Sequence, residues 1–131
     1  MKKKVLLVED DPASRFMMTE MLEDLGYQSV CAENGQMGVD AARDMAAEIG
    51  LILMDIHMPV KSGDEAIGEI RRMESDPPRS VPVFAVSADH VWQDKVRASA
   101  HGFNGTVSKP VRLAALREVL DEVFRGGAQF A

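Results

Sequence analysis

Cysteine occurs once in the chain, as Cys31, so no internal disulfide can form and a reducing, cytoplasmic setting is expected. The expected place for Cys31 is a small buried apolar position. No Cys/His pair has zinc-ligand spacing, which argues against a zinc site. No apolar run approaches the roughly 20 residues that a membrane helix needs. The Lys2-Lys3-Lys4 start leads into a short strand and not into the apolar core of a signal peptide. A basic stripe is absent too: 15 Lys and Arg stand against 21 Asp and Glu, a formal charge of −6. Direct contact with nucleic acid or a membrane is therefore not expected. Repeats, low-complexity blocks and signs of a second domain are missing. What is present is 46% hydrophobic content in 131 residues, enough for the core of one acidic domain.

The run Leu51-Ile52-Leu53-Met54 has no helical spacing, and Gly50 precedes it. It reads as a strand buried on both faces, in the middle of a parallel sheet, ending on Asp55. Pro59 cannot continue a ladder, so the chain leaves the sheet just after His57. Taken alone, Asp55 reads equally well as a turn or cap residue. Other runs repeat the arrangement. Val5 to Val8 is apolar and leads into Glu9, Asp10 and Asp11. Val81 to Val86 ends on Ser87, and Phe103 to Val107 leads to Ser108, Lys109 and Pro110. Ser29 to Ala32 is a less apolar strand, nearer an edge.

Between these strands the spacing predicts helices. One starts at Pro12, capped by Asp11, with Met18, Met21, Leu22 and Leu25 on one side and Gly26 at its end. A second runs from Gly35 to Met45 after the cap Asn34, with Val39, Ala42 and Ala46 inward. A third runs from Gly63 through Ala66, Ile67, Ile70 and Met73. A fourth spans Asp89 to Ala100, and the last carries Leu113, Leu116, Leu120, Val123 and Phe124. Strand and helix alternate five times, which demands an α/β fold: a parallel sheet with right-handed crossovers and helices on both faces. Either common doubly wound strand order satisfies this pattern.

In such a sheet all strand ends lie along one edge. Glu9, Asp10, Asp55, Ser87 and Lys109 therefore converge as three carboxylates, a hydroxyl and an ammonium. Three anions so close repel unless protonated or bridged by a cation. A hard divalent ion with oxygen ligands, Mg²⁺ above all, suits them. Lys109 and Ser87 can hold phosphoryl oxygens, and a carboxylate nucleophile in that company suits phosphoryl transfer.

From Val5 to about Phe124 the chain resembles a response-regulator receiver domain of two-component and phosphorelay signalling. The likeness rests on Val8-Glu9-Asp10-Asp11, Leu53-Met54-Asp55-Ile56-His57-Met58-Pro59, Val86-Ser87-Ala88 and Ser108-Lys109-Pro110. It implies a flavodoxin-like doubly wound (βα)5 sandwich with strand order 2-1-3-4-5. It implies Asp55 as phosphoacceptor, fed from a phosphohistidine on a sensor histidine kinase or histidine phosphotransfer protein. Mg²⁺ (or Mn²⁺) would be held by Glu9, Asp10, Asp55 and the backbone carbonyl of His57. Ser87 would be the switch hydroxyl, Lys109 the phosphate partner, and the bond to Pro110 cis. Phosphorylation would re-bias the face of the fourth helix, fifth strand and fifth helix toward a downstream effector protein.

Two positions depart from the family pattern. Thr106 stands where many members carry an aromatic ring that turns inward on activation. His57, two residues after the phosphoacceptor, is expected to alter the lifetime of the phosphorylated state. Trp92 has two readings, half-buried core beside Ala88 and Val96, or an exposed partner contact. An aspartate-nucleophile phosphatase would want a second carboxylate where His57 stands. A module that never takes phosphate would have little reason to keep Asp10, Asp55, Ser87 and Lys109 together. The receiver is expected over residues 1–126, with 127–131 as a tail. Met1 directly before the first strand reads as a natural start, of a free-standing or N-terminal receiver; a receiver cut from a hybrid kinase is the other reading.

Overall fold

Val5 to Val8 are buried because their strand, β1 (Lys4–Val8), lies between two others and helices cover both of its faces. It pairs in parallel with β2 (Ser29–Ala32) and with β3 (Ile49–Asp55). Next come β4 (Val83–Ser87) and β5 (Gly105–Ser108), giving the all-parallel order β2-β1-β3-β4-β5. This settles the strand order that the sequence pattern left open. The computed structural model describes residues 3–126, so the tail expected over 127–131 lies outside the described residues.

Side-chain alternation along the strands builds two apolar layers. Val5, Leu7, Leu51, Leu53, Phe84 and Val86 face one side, under Met18 and Leu22 of α1 (Pro12–Asp24) and Leu116 and Leu120 of a later helix (Leu113–Asp121). Leu6, Val8, Ile52, Met54, Val83 and Ala85 face the other, under α2 (Gly35–Asp44) and α3 (Gly63–Arg71). Local chemistry starts the helices where the sequence says. Asp11 accepts from the Ser14 N–H at 2.9 Å ahead of Pro12, and Asn34 accepts from the Met37 N–H at 2.8 Å. Glu65 accepts from the Ser62 N–H and hydroxyl at 3.2 and 2.9 Å.

Several expectations are corrected. The single helix expected from Asp89 to Ala100 is two: α4 (His90–Gln93) and α5 (Lys95–Ala100). Asp94 lies extended between them, and its carboxylate accepts from the Val96 N–H, so it restarts the helix as a cap. The break rotates the inner face. Val96, the core neighbour expected for Trp92, is 80% exposed, and Ala98 is buried instead. Trp92, at 9% exposure, belongs to the core, its ring 6.0 Å from Phe103 and 4.8 Å from His101, which overturns the partner-contact reading.

Strand β4 starts at Val83 because Pro82 has no N–H for the ladder, and β5 starts at Gly105 while Phe103 packs beneath it. Met73 falls beyond the end of α3 and Ala46 beyond that of α2. The last helix, α6 (Leu113–Asp121), runs on as a π-helical turn over Glu122–Gly126, where Phe124 stacks on Tyr27 at 5.0 Å. Cys31 is exposed, not buried. It faces the α1 side of the edge strand β2, with the Thr19 hydroxyl 3.6 Å from its sulfur.

Candidate functional site

Strand register brings the site together. Val8 pairs with Met54, so Glu9 and Asp55 leave the sheet side by side. Asp55 pairs with Val86, and Ser87 pairs with Ser108, just before Lys109. The turn after Asp55 is tight. The Gly63 N–H donates to the Ile56 carbonyl at 2.8 Å, and a Cβ at Gly63 would lie 2.1 Å from the Asp55 carbonyl oxygen. Only glycine fits there.

Lys109 occupies the centre. Its Nζ lies 2.7 Å from Glu9 Oε1 and 3.4 Å from Asp55 Oδ2. Asp55, 6% exposed, accepts the Ile56 N–H on Oδ1 at 2.8 Å. Glu9, 1% exposed, accepts the Asp11 N–H on Oε2 at 3.1 Å. Asp10 completes the acidic group, in which one oxygen of each of Glu9, Asp10 and Asp55 lies within 4.8 Å of the others. Buried Ser87 accepts the Asp89 N–H on Oγ at 3.0 Å. The Lys109 N–H donates to the Ser87 carbonyl at 3.1 Å, and the Lys109–Pro110 bond is cis.

These residues line an open cleft of about 480 Å³, with His57, Ala88 and Asp89 at its walls. Thr106 and Trp92 are not in it. Thr106 lines a separate groove of about 540 Å³ between α5, β5 and α6. Sequence reasoning missed three participants. Asp89 caps α4 through the Val91 N–H and meets His57 Nε2 at 3.2 Å across the cleft wall. Gln93 donates its side-chain amide to the Ser87 carbonyl at 3.1 Å. Arg15 donates to the carbonyls of Glu9 and Asp10. The helix-cap pattern was a signal for Asp89; Gln93 and Arg15 act through main-chain contacts that leave no motif.

The electrostatics leave one positive charge against three carboxylates. Burial, and then the charge of Glu9, push the Asp55 carboxyl up to about 7, with Lys109 pulling the other way. Burial would also raise Glu9, but the Lys109 ammonium and the Asp11 N–H outweigh it and hold Glu9 below its ordinary range. Lys109 is held above its ordinary value although burial opposes it, because Glu9 and Asp55 flank it. Buried Glu9 Oε1 has no partner with hydrogen-bond geometry among the described residues, only the ammonium at 2.7 Å. An all-oxygen donor set with surplus negative charge fits a hard divalent cation.

The family model described as "Response regulator receiver domain" matches residues 5–121. Protein PilH of Pseudomonas aeruginosa is 34% identical over 124 residues, covering 94% of this chain and 98% of its own. A receiver domain of a sensor histidine kinase from Pseudomonas aeruginosa, solved with a magnesium ion coordinated in its active-site cleft, superposes with a TM-score of 0.82. It is 32% identical, over 94% of this chain and 98% of that one. The Saccharomyces cerevisiae Ssk1 receiver, crystallised with the histidine phosphotransfer protein Ypd1, gives a TM-score of 0.78 at 31% identity, over 93% and 88% of the two chains. Of two further curated relatives, a sensor protein and a hybrid histidine kinase, the chain spans only 13% and 7% of the length.

Proposed function

The chain belongs to the response regulator receiver family, and from that premise we propose that Asp55 is its phosphoacceptor and that Glu9, Asp10, Ser87 and Lys109 complete the reaction centre. The observation that carries this reading is the convergence of Asp55 and Glu9 on one ammonium, Lys109, beside the buried hydroxyl of Ser87. The donor in this reading is a phosphohistidine on a sensor kinase or phosphotransfer protein.

An oxygen of ionised Asp55 attacks phosphorus, the P–N bond to the donor imidazole breaks, and that nitrogen leaves with the electron pair and takes up a proton. A magnesium or manganese ion held by Glu9, Asp10, Asp55 and the His57 carbonyl would supply neutralisation of the charge gathered on the phosphoryl oxygens. Lys109 already lies between Glu9 and Asp55 and needs only a small displacement to pair with a phosphoryl oxygen. The Ser87 hydroxyl accepts from the Asp89 N–H, which leaves its own proton free to donate to another. Two residues after Asp55, where an aspartate-nucleophile phosphatase would carry its general acid, stands His57 and not a carboxylate.

Output follows from the same contacts. A shift of Ser87 toward the phosphoryl group moves the carbonyl that Gln93 grips, and with it α4. The groove between α5, β5 and α6 then changes shape for an effector protein. Thr106 replaces the large ring motion with a small side chain, so the message travels through the β4–α4 connection.

Incubation with a small phosphodonor and Mg²⁺, followed by intact mass, tests the centre. The wild type gains one phosphoryl group and Asp55→Asn gains none. Equal labelling of Asp55→Asn would move the acceptor elsewhere.

A further inference from the structure

Glu9, Asp10 and Asp11 place three acidic residues in a row between β1 and α1, and their arrangement needs a cause. Arg15, one turn into α1, reaches back over them. Its Nη1 donates to the Glu9 carbonyl at 2.9 Å and to the Asp10 carbonyl at 3.0 Å. Its Nη2 lies 3.5 Å from Glu33 Oε1, after β2, and the side chain is largely buried at 19% exposure.

The Asp10 carbonyl and the Asp11 N–H belong to one planar trans peptide, so they point in opposite directions. Holding the oxygen on the Arg15 side turns the N–H to the other side. There it meets Glu9 Oε2 at 3.1 Å. The guanidinium therefore aims, through one rigid peptide, the donor that fixes the Glu9 carboxylate. Polarisation of that peptide by the charged donor strengthens the second bond.

We propose that Arg15 is a positioning residue for the acidic centre: through the Asp10–Asp11 peptide it sets the carboxylate geometry that a divalent cation meets. The assignment rests on the metal-binding role given to Glu9 and Asp10 above. It predicts the opposite sign from simple charge. Removing a positive group near a cation site should tighten binding by electrostatics alone, whereas loss of positioning should weaken it.

The test titrates Mg²⁺ alone into the metal-free full chain by calorimetry. Arg15→Met keeps the side-chain stem and loses the donors, and its Mg²⁺ affinity should fall at least about tenfold, the scale of outer-shell effects on metal sites. Arg15→Lys, which keeps donors and charge, should recover most of that loss. With a small phosphodonor, the Mg²⁺ concentration that gives half-maximal labelling should rise in Arg15→Met by about the factor lost in Mg²⁺ affinity. If Arg15→Met does not fold, Arg15→Gln, neutral and too short to hold both carbonyls, is read in the same way. Unchanged or tighter Mg²⁺ binding in the neutral variants overturns the proposal, as does a half-maximal Mg²⁺ concentration for labelling that stays at the wild-type value. Asp10→Asn separates the two readings. If it binds Mg²⁺ as tightly as wild type, the metal role of the cluster fails; if it binds weakly while Arg15→Met does not, only the role of Arg15 fails.

Discussion

Asp55 is buried beside Glu9, and the role proposed for it requires the ionised form, so the two demands conflict in the metal-free protein. Its carboxyl, pushed up to about 7, keeps a proton that the unfolded chain has released above its ordinary value of 3.8. An acid raised in the folded state loses stability as pH rises between those values. With divalent ions chelated, wild type should lose on the order of 1–3 kcal/mol relative to Asp55→Asn between about pH 4 and pH 7. Glu9 is held low, so its own contribution is complete by about its ordinary 4.5 and lies below most of that window. Urea unfolding of both proteins across pH measures the difference, and parallel profiles would contradict it. His57 calls for a separate test. It is exposed and meets Asp89 at 3.2 Å at the mouth of the cleft. His57→Ala removes that bridge and should shorten the lifetime of the phosphorylated form several-fold, about 1 kcal/mol of barrier, by admitting water. Autodephosphorylation rates that do not change would rule it out.

At the scale of elements, the β4–β5 connection departs furthest from its periodic pattern. Helical spacing from Asp89 to Ala100 is continuous on paper, but Asp94 accepts from the Val96 N–H and is extended, so the register breaks. Aspartate competes with the helix for its own backbone, and here the cap wins. The outcome fixes Trp92, which packs against Phe103 and His101 as part of the core. Trp92→Ala should therefore cost about 3 kcal/mol of stability by chemical denaturation. Loss of effector binding at unchanged stability would restore the surface reading. Helices α1 and α2 were legible because caps and apolar spacing agree: Asp11 before Pro12, and Asn34 before Gly35. Strand β4 was read two residues too long because Val81 is buried without being paired, and burial is all that an apolar run records.

For the whole molecule, alternation of short apolar strands with amphipathic helices determined a parallel sheet covered on both faces, because a strand apolar on both sides has no other stable place. It also determined which residues would crowd one edge, since parallel strands end on the same side: Glu9, Asp10, Asp55, Ser87 and Lys109 are together as their strand ends require. The choice among doubly wound orders came from pairing across the sheet, and so did the exposure of Cys31 on the rim strand β2. Only the folded chain could show that Lys109 leans closer to Glu9 than to Asp55, that Gln93 grips the Ser87 carbonyl, and that Arg15 holds two carbonyls of the acidic loop. Local sequence encodes periodicity and caps, which act over a few residues. Contacts between a side chain and a distant or irregular backbone depend on where three-dimensional packing sets that backbone, and no spacing of residue types records it.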